Sequence, residues 1–307
     1  MSVDAVSPAP RRRWLRWLGT LLSLGLLGWM LSRQDWFEIR SLAERLPPAI
    51  LAGAFAFAVI SQAWSALRWW VLLRFQGIAV GYGQVFRLTV SGLFASNFLP
   101  GTIGGDVLRV AGILPRCPDG AVGIASVVLD RLVGMTAMLF VLPVSLTVFW
   151  QTIARLLVGS FAAVFSGSLR RRASEAAGRL RRIVAPWRTQ PQSLAGALLA
   201  AAAGVTSYWT SVWLVARALQ MEVTLLDVAA VTGITYFLSQ VPISFNALGI
   251  REAAMITLYG QLGSTAEQAA ALALITRLLV TLATVPGALW LPGLLAAARE
   301  VPPETAP

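Results

Sequence analysis

The sequence predicts an all-α polytopic membrane protein, and three observations carry that prediction. Hydrophobic residues make up 57% of the 307-residue chain, and charged residues only 13%. A typical soluble domain is about a quarter charged. Several apolar runs reach the roughly 20 residues that cross a bilayer as a helix. No stretch is long and polar enough to form a soluble domain, which excludes a large extramembrane catalytic unit.

Charge composition narrows the function classes. All 25 basic side chains are arginine, and the formal net charge is +11. In a membrane protein such an excess reports topology and contact with anionic lipid before it reports nucleic acid, so no nucleic-acid partner is expected. The chain has no His, and Cys117 is its one cysteine. That leaves neither a disulfide framework nor a zinc site of the usual His/Cys kind. It also removes His-based acid–base chemistry. No metal and no cofactor are expected.

Residues 1–13 form a basic N-terminus that ends in Arg11, Arg12 and Arg13. The apolar run after it, 14–32, has Trp14, Trp17 and Trp29 near its ends. No small-x-small cleavage site follows, so this is a first transmembrane helix with a cytoplasmic N-terminus, not a signal peptide. Residues 33–48 balance three Arg against three acids, which suits the outer side. Further spans lie near 49–73, 120–147, 150–166, 193–219 and 268–297. The loop 167–192 carries seven Arg against one Glu. The positive-inside rule makes it cytoplasmic, and counting spans from a cytoplasmic N-terminus gives the same side. Residues 298–307 form a tail, so 14–297 reads as a single transmembrane domain.

Two stretches break this pattern: 84–116 and 225–262. Each starts as an apolar helix, is cut by Pro and Gly, and resumes at a charged residue. They predict discontinuous helices or re-entrant hairpins. The architecture is then about six full spans plus two hairpins, or eight spans.

The broken stretches also resemble each other. "VSGLFASNFLPGTIGGDVLRV" and "VTGITYFLSQVPISFNALGIREAA" share V-S/T-G, then Ser-Asn or Ser-Gln, then Pro, a Gly-containing break, and an acid beside an Arg. Asp106 is followed 25 residues later by Arg131, and Glu252 is followed 25 residues later by Arg277. Arg74 and Arg217 each precede the opening valine, Val85 or Val228, by 11 residues. The pseudo-repeats are about 49–148 and 193–297, and the span count gives them opposite orientation. Inverted repeats with broken helices that meet near the midplane are a common transporter plan.

The candidate site residues are Gly104, Gly105, Asp106, Arg109, Asp130, Arg131, Asn246, Arg251, Glu252 and Arg277. Charge at membrane depth is costly and marks a substrate or ion path. Backbone N–H groups at the Pro100–Gly105 break, with Arg109, would make an anion cradle. Alternatively, Asp106 caps its own helix and Arg109 pairs with it one turn on. Arg131 lies ~15 Å into its span, and Asp130 points about 100° away from it around the helix. Arg277 is similarly deep. Buried ion pairs with Asp106 or Glu252 are the structural alternative for these arginines. Arg251 and Glu252 follow the second break, after Pro242, Asn246 and Gly249. "GTIGGD" is not a dinucleotide fingerprint, because its spacing is wrong and no βαβ unit surrounds it.

"NFLPGTIGGDVLRV", "LDRLVG" and "VPISFNALGIREAAM" resemble the lysylphosphatidylglycerol synthase transmembrane, flippase-like family, over about 14–297. That family includes the flippase half of bacterial multiple peptide resistance factor and standalone members linked to hopanoid or polyprenyl-glycan pathways. The resemblance implies a multi-pass protein of the bacterial inner membrane that binds and moves lipids. It implicates Asp106, Arg109, Arg131, Arg251 and Glu252. Members with aminoacyl-transfer activity carry a large soluble C-terminal domain, and here the sequence stops at Pro307; no lysyl-lipid synthesis is expected. Where family members often carry "PGGLG", this chain has "FNALG", which makes Asn246 a substitute donor.

The function expected is lipid translocation without catalysis. Arg109, Arg131 and Arg277 would hold a phosphate or other polar headgroup of an aminoacyl-phospholipid, polyprenyl-phosphate glycan or hopanoid-type lipid. Asp106 and Glu252 would hold a cationic group or couple movement to protons. Membrane lipids are the partners, with a lipid-biosynthesis enzyme as a further one. No ATP-binding motif is present, so movement would be downhill or gradient-driven. The rival readings are a membrane-embedded lipid-modifying enzyme and a non-catalytic scaffold.

Overall fold

The computed structural model describes residues 46–98, 103–117, 119–150, 191–240 and 249–291, with Phe37, Ser41 and Glu44 besides. The expected span 14–32, the span 150–166 beyond Trp150, residues 167–190 of the arginine-rich loop and both termini lie outside them. So do Pro100, Gly101, Pro242 and Asn246.

Among the described residues all regular structure is helical. In chain order the α-helices are α1 (Pro48–Phe75), α2 (Tyr82–Phe98), α3 (Ile103–Ile113), α4 (Gly120–Leu139), α5 (Leu142–Val148), α6 (Pro191–Ala218), α7 (Leu225–Ser239), α8 (Ile250–Gln261) and α9 (Ala266–Thr284). Four segments are long and apolar enough to cross a membrane: Pro48–Phe75, Gly120–Val148, Pro191–Ala218 and Ala266–Leu291. The spans expected at 49–73 and 193–219 match α1 and α6 within a few residues.

The expected span 120–147 is corrected in one respect. It turns at Phe140–Val141, between α4 and α5. Pro143 has no N–H to offer the Leu139 carbonyl, and its ring crowds that oxygen. The chain tightens there, with Val141 N–H reaching the Met138 carbonyl at 3.1 Å.

The most extensive interface joins α1 to α6. Gly53 faces Leu214, Gly204 faces Trp64 and Gly196 faces Val71. Numbers rise along one helix as they fall along the other, so the two run antiparallel. Small residues allow this approach, as in other membrane helix pairs. Ser211 Oγ adds a 2.7 Å bond to the Ala54 carbonyl.

α1 and α6 also end alike. Ile78 N–H reaches back to the Leu73 carbonyl and Gly77 N–H to that of Arg74. The same bonds recur 143 positions on, where Met221 N–H reaches the Ala216 carbonyl and Gln220 N–H that of Arg217. Both ends are Schellman motifs, with Gly77 at φ 75° and Gln220 at φ 59° in the left-handed region. Trp70 Nε1 donates to the Val80 carbonyl at 3.0 Å, and Trp213 Nε1 to that of Val223 at 3.2 Å. Arg74 lies over the Trp70 ring, and Arg217 over that of Trp213. A shared sequence spacing therefore becomes a shared set of contacts.

The described residues pack two main apolar cores, one within the first half and one centred on the second that Ala54 of α1 also joins. Trp69, Leu73, Val85, Leu88 and Ile113 centre the first, and Val212, Val228, Met255, Tyr259 and Leu272 the second. Leu72, Leu129, Val133, Ala197 and Ala201 fill the space where α1, α4 and α6 meet. Ser91 Oγ donates to the Gly287 carbonyl at 3.0 Å, tying α2 to the chain beyond α9.

Candidate functional site

The break between α2 and α3 folds these helices tightly against each other. An ideal Cβ on Gly105 would lie well inside contact distance of the Gly92 carbonyl oxygen and Ser96 Oγ. A Cβ on Gly92 would meet the Gly105 oxygen at 2.8 Å and Arg109 Cγ at 3.0 Å. The two glycines therefore set how closely α3 approaches α2, and hence where Asp106 and Arg109 stand.

Those charges enter an ion-pair chain across α1, α3 and α4. Arg68 Nε donates to Asp130 Oδ1 at 2.6 Å, and its Nη2 to Oδ2 at 3.2 Å. Arg109 Nη2 donates to the same Oδ2 at 2.7 Å. Arg109 Nη1 reaches Asp106 Oδ1 at 3.5 Å, and Arg131 Nε donates to Asp106 Oδ2. Both oxygens of Asp106 thus accept from guanidinium groups, and among the described residues it accepts no backbone N–H. The Asp130 side chain is 1% exposed and that of Arg131 33%, so the chain runs from a sealed inner end toward an open outer one. Three arginines against two aspartates leave one positive charge in excess.

Trp69 supports the inner end. The Arg109 guanidinium carbon lies 4.1 Å from its ring centre, a cation–π contact strengthened by burial. The indole N–H donates to Ser126 Oγ at 3.1 Å, which fixes the ring. Arg109 Nε is buried with no hydrogen-bond partner among the described residues.

The second half repeats only the outer pair. Arg277 Nη1 donates to Glu252 Oε1 at 2.5 Å. Glu252 Oε2 also accepts from Gly249 N–H at 2.8 Å, so this carboxylate does close the start of its helix. Positions matching Arg68, Arg109 and Asp130 hold Ser211, Met255 and Thr276, so the inner chain has no counterpart. Arg251 stands where the first half has Gly105. It crosses to α6, where its Nη2 donates to Tyr208 Oη at 2.6 Å.

Two adjoining cavities lie beside these groups. The smaller, about 140 Å³, is lined by Thr89, Gly92, Leu93 and Ser96 of α2 and by Gly105, Asp106, Arg109, Asp130 and Arg131. The larger, about 340 Å³, lies at the α1–α6 crossing. Ser65, Arg68, Gly134 and Tyr236 line both. Gly134 makes room for Arg68: a Cβ there would meet Nη1 at 3.0 Å. The larger cavity is lined by Ser61, Gln62 and Ser65 of α1 and by Gly204, Val205 and Tyr208 of α6. These are matching positions of the two halves, 143 residues apart. Likewise Thr232, Thr235, Tyr236 and Ser239 of α7 line the larger cavity where their α2 counterparts line the smaller.

Of the expected site residues, Gly105, Asp106, Arg109, Asp130 and Arg131 come together at the smaller cavity, and Arg251 reaches the larger. Glu252 and Arg277 pair outside both linings. Gly104 lies in the first turn of α3 without lining either, and Asn246 is outside the described residues. Sequence reasoning missed Arg68, which joins the two cavities, and Tyr208. The signal for Arg68 was there: a charge inside the apolar run "SALRWWV". Among the described residues no group of three His, Cys, Asp or Glu side chains gathers to hold a metal ion.

A family model described as the lysylphosphatidylglycerol synthase TM region matches residues 16–287. No curated protein matches the chain.

Proposed function

The chain belongs to the lysylphosphatidylglycerol synthase TM region family, and on that footing we propose that this multi-pass membrane protein is a lipid translocase. Its two halves form an inverted repeat, and a polar lipid headgroup is held between them while the acyl chains stay in the bilayer. One observation carries the reading: the larger cavity is walled by matching positions of two antiparallel helices. A site on the axis between oppositely oriented halves can be offered to either membrane face by rocking one half against the other.

The chemistry suits a headgroup. Hydroxyls of Ser61, Ser65, Thr235 and Ser239 line the cavity, with guanidinium groups from Arg68 and Arg251. A volume of about 340 Å³ is at the low end of the ~300–1,000 Å³ that holds small ligands. It is large enough for a polar headgroup. The protein would sit in the cytoplasmic membrane with its N-terminus inside, and would move its lipid without altering it. In liposomes containing purified protein, headgroup-labelled lipid should exchange between leaflets at unchanged mass. Conversion to a lipid of different mass would instead make the chain an enzyme.

A further inference from the structure

The charge of the larger cavity identifies the class of headgroup. Its lining includes two arginines, Arg68 and Arg251, and no Asp or Glu. Arg68 is paired with Asp130, which lies outside the lining of this cavity. Arg251 is different. Among the described residues it meets no carboxylate, and its polar partner is the neutral hydroxyl of Tyr208. Glu252, its neighbour in sequence, turns away to Arg277 and Gly249 N–H. The cavity therefore carries a guanidinium whose charge no carboxylate among the described residues balances.

We propose that Arg251 and Tyr208 form an anion anchor in this cavity, and that its ligand is a phosphate ester. Arg251 would give a charge-assisted bond to a phosphate oxygen, and Tyr208 is placed to give its own O–H to the same group. The hydroxyls of Ser61 and Ser65 supply further donors on the α1 wall. A headgroup whose net charge is positive, such as a lysyl ester, would face an unbalanced guanidinium with no carboxylate to receive it. The chain would thus take anionic lipids in preference to the cationic lipid in its family's name. This inference rests on the translocase reading for the lipid's presence, but binding and movement can be measured separately.

The test uses the full chain in phosphatidylcholine nanodiscs. Binding of fluorescent phosphatidylglycerol is measured, with unlabelled phosphatidic acid, phosphatidylglycerol, lysyl-phosphatidylglycerol and inorganic phosphate as competitors. The expected result is that phosphatidic acid and phosphatidylglycerol compete at least tenfold better than the lysyl lipid. Competition by inorganic phosphate at low millimolar levels would assign the anchor to free phosphate, and its failure would assign it to the lipid-borne ester; both uphold an anion site. Arg251→Gln should weaken phosphatidylglycerol about tenfold or more, the loss expected for one charge-assisted bond, and Arg251→Lys should restore part of it. Equal or better competition by the lysyl lipid would overturn the proposal, and so would unchanged binding in a folded Arg251→Gln variant. The competition series on the unaltered chain decides the matter even if the variants do not fold. Anion-selective binding without leaflet exchange would uphold the anchor while rejecting translocation.

Discussion

Arg68 and Asp130 stand 62 residues apart and meet at 2.6 Å, joining α1 to α4 at the wall between the two cavities. Asp130 is 1% exposed and also receives Arg109. Replacing it with Asn removes the one negative charge that two buried guanidinium groups share. Breaking a buried pair this way costs about 3–5 kcal/mol. Asp130→Asn should therefore lower the thermal midpoint of the purified protein sharply. Asp119→Asn, at the exposed start of α4, should lower it less. Equal midpoints would show that the Arg68–Asp130–Arg109 cluster does not hold the fold.

The outer pairs should behave as couples. Asp106→Asn and Arg131→Gln each leave a charge beside the smaller cavity, whereas the double variant removes both. A double-mutant cycle on stability should give a coupling of about 0.5–3 kcal/mol, and Glu252 with Arg277 should give a similar one. Strict additivity at either pair would mean that its contact contributes nothing.

Close approach of α2 and α3 depends on a missing methyl group. Gly105→Ala would press a Cβ into the Gly92 carbonyl and Ser96, an overpacking cost of about 1–3 kcal/mol. Gly81→Ala has nothing within 4 Å to meet and should be close to neutral. Comparing the two unfolding midpoints checks the assignment; equal effects would remove the packing role of Gly105.

The proposed opposite orientation of the halves is open to chemical labelling. Gly81 and Thr224 occupy matching places, just before α2 and α7. In a Cys117→Ser background, Gly81→Cys and Thr224→Cys should react with a membrane-impermeant maleimide from opposite sides of the membrane. Labelling of both from one side would rule out the inverted arrangement.

Much of this molecule was legible in its sequence because residue type and spacing were enough. Apolar length located α1 and α6, and the proline–glycine breaks marked the α2–α3 and α7–α8 stretches. The shared spacing of 25 residues located both outer ion pairs. The turn at Phe140–Val141 was missed because Leu139, Phe140 and Val141 continue the apolar run, and only Pro143 disturbs it. Arg68 was missed for another reason. It lies seven residues from the end of α1, where a long side chain could reach the interface. That it turns inward is decided by Asp130, 62 residues away, and by the space Gly134 leaves. The uneven use of the two halves was equally hidden. Asp130 and Thr276 hold matching positions, and the spacing of the repeat does not show that two arginines from other helices gather at Asp130.

The most direct test of the central claim is leaflet exchange of headgroup-labelled phosphatidylglycerol in proteoliposomes. The account predicts exchange well above that of protein-free vesicles, reduced about tenfold by Arg68→Gln and by Arg251→Gln in protein that remains folded. Exchange at the protein-free rate, or undiminished exchange in both folded variants, would contradict it.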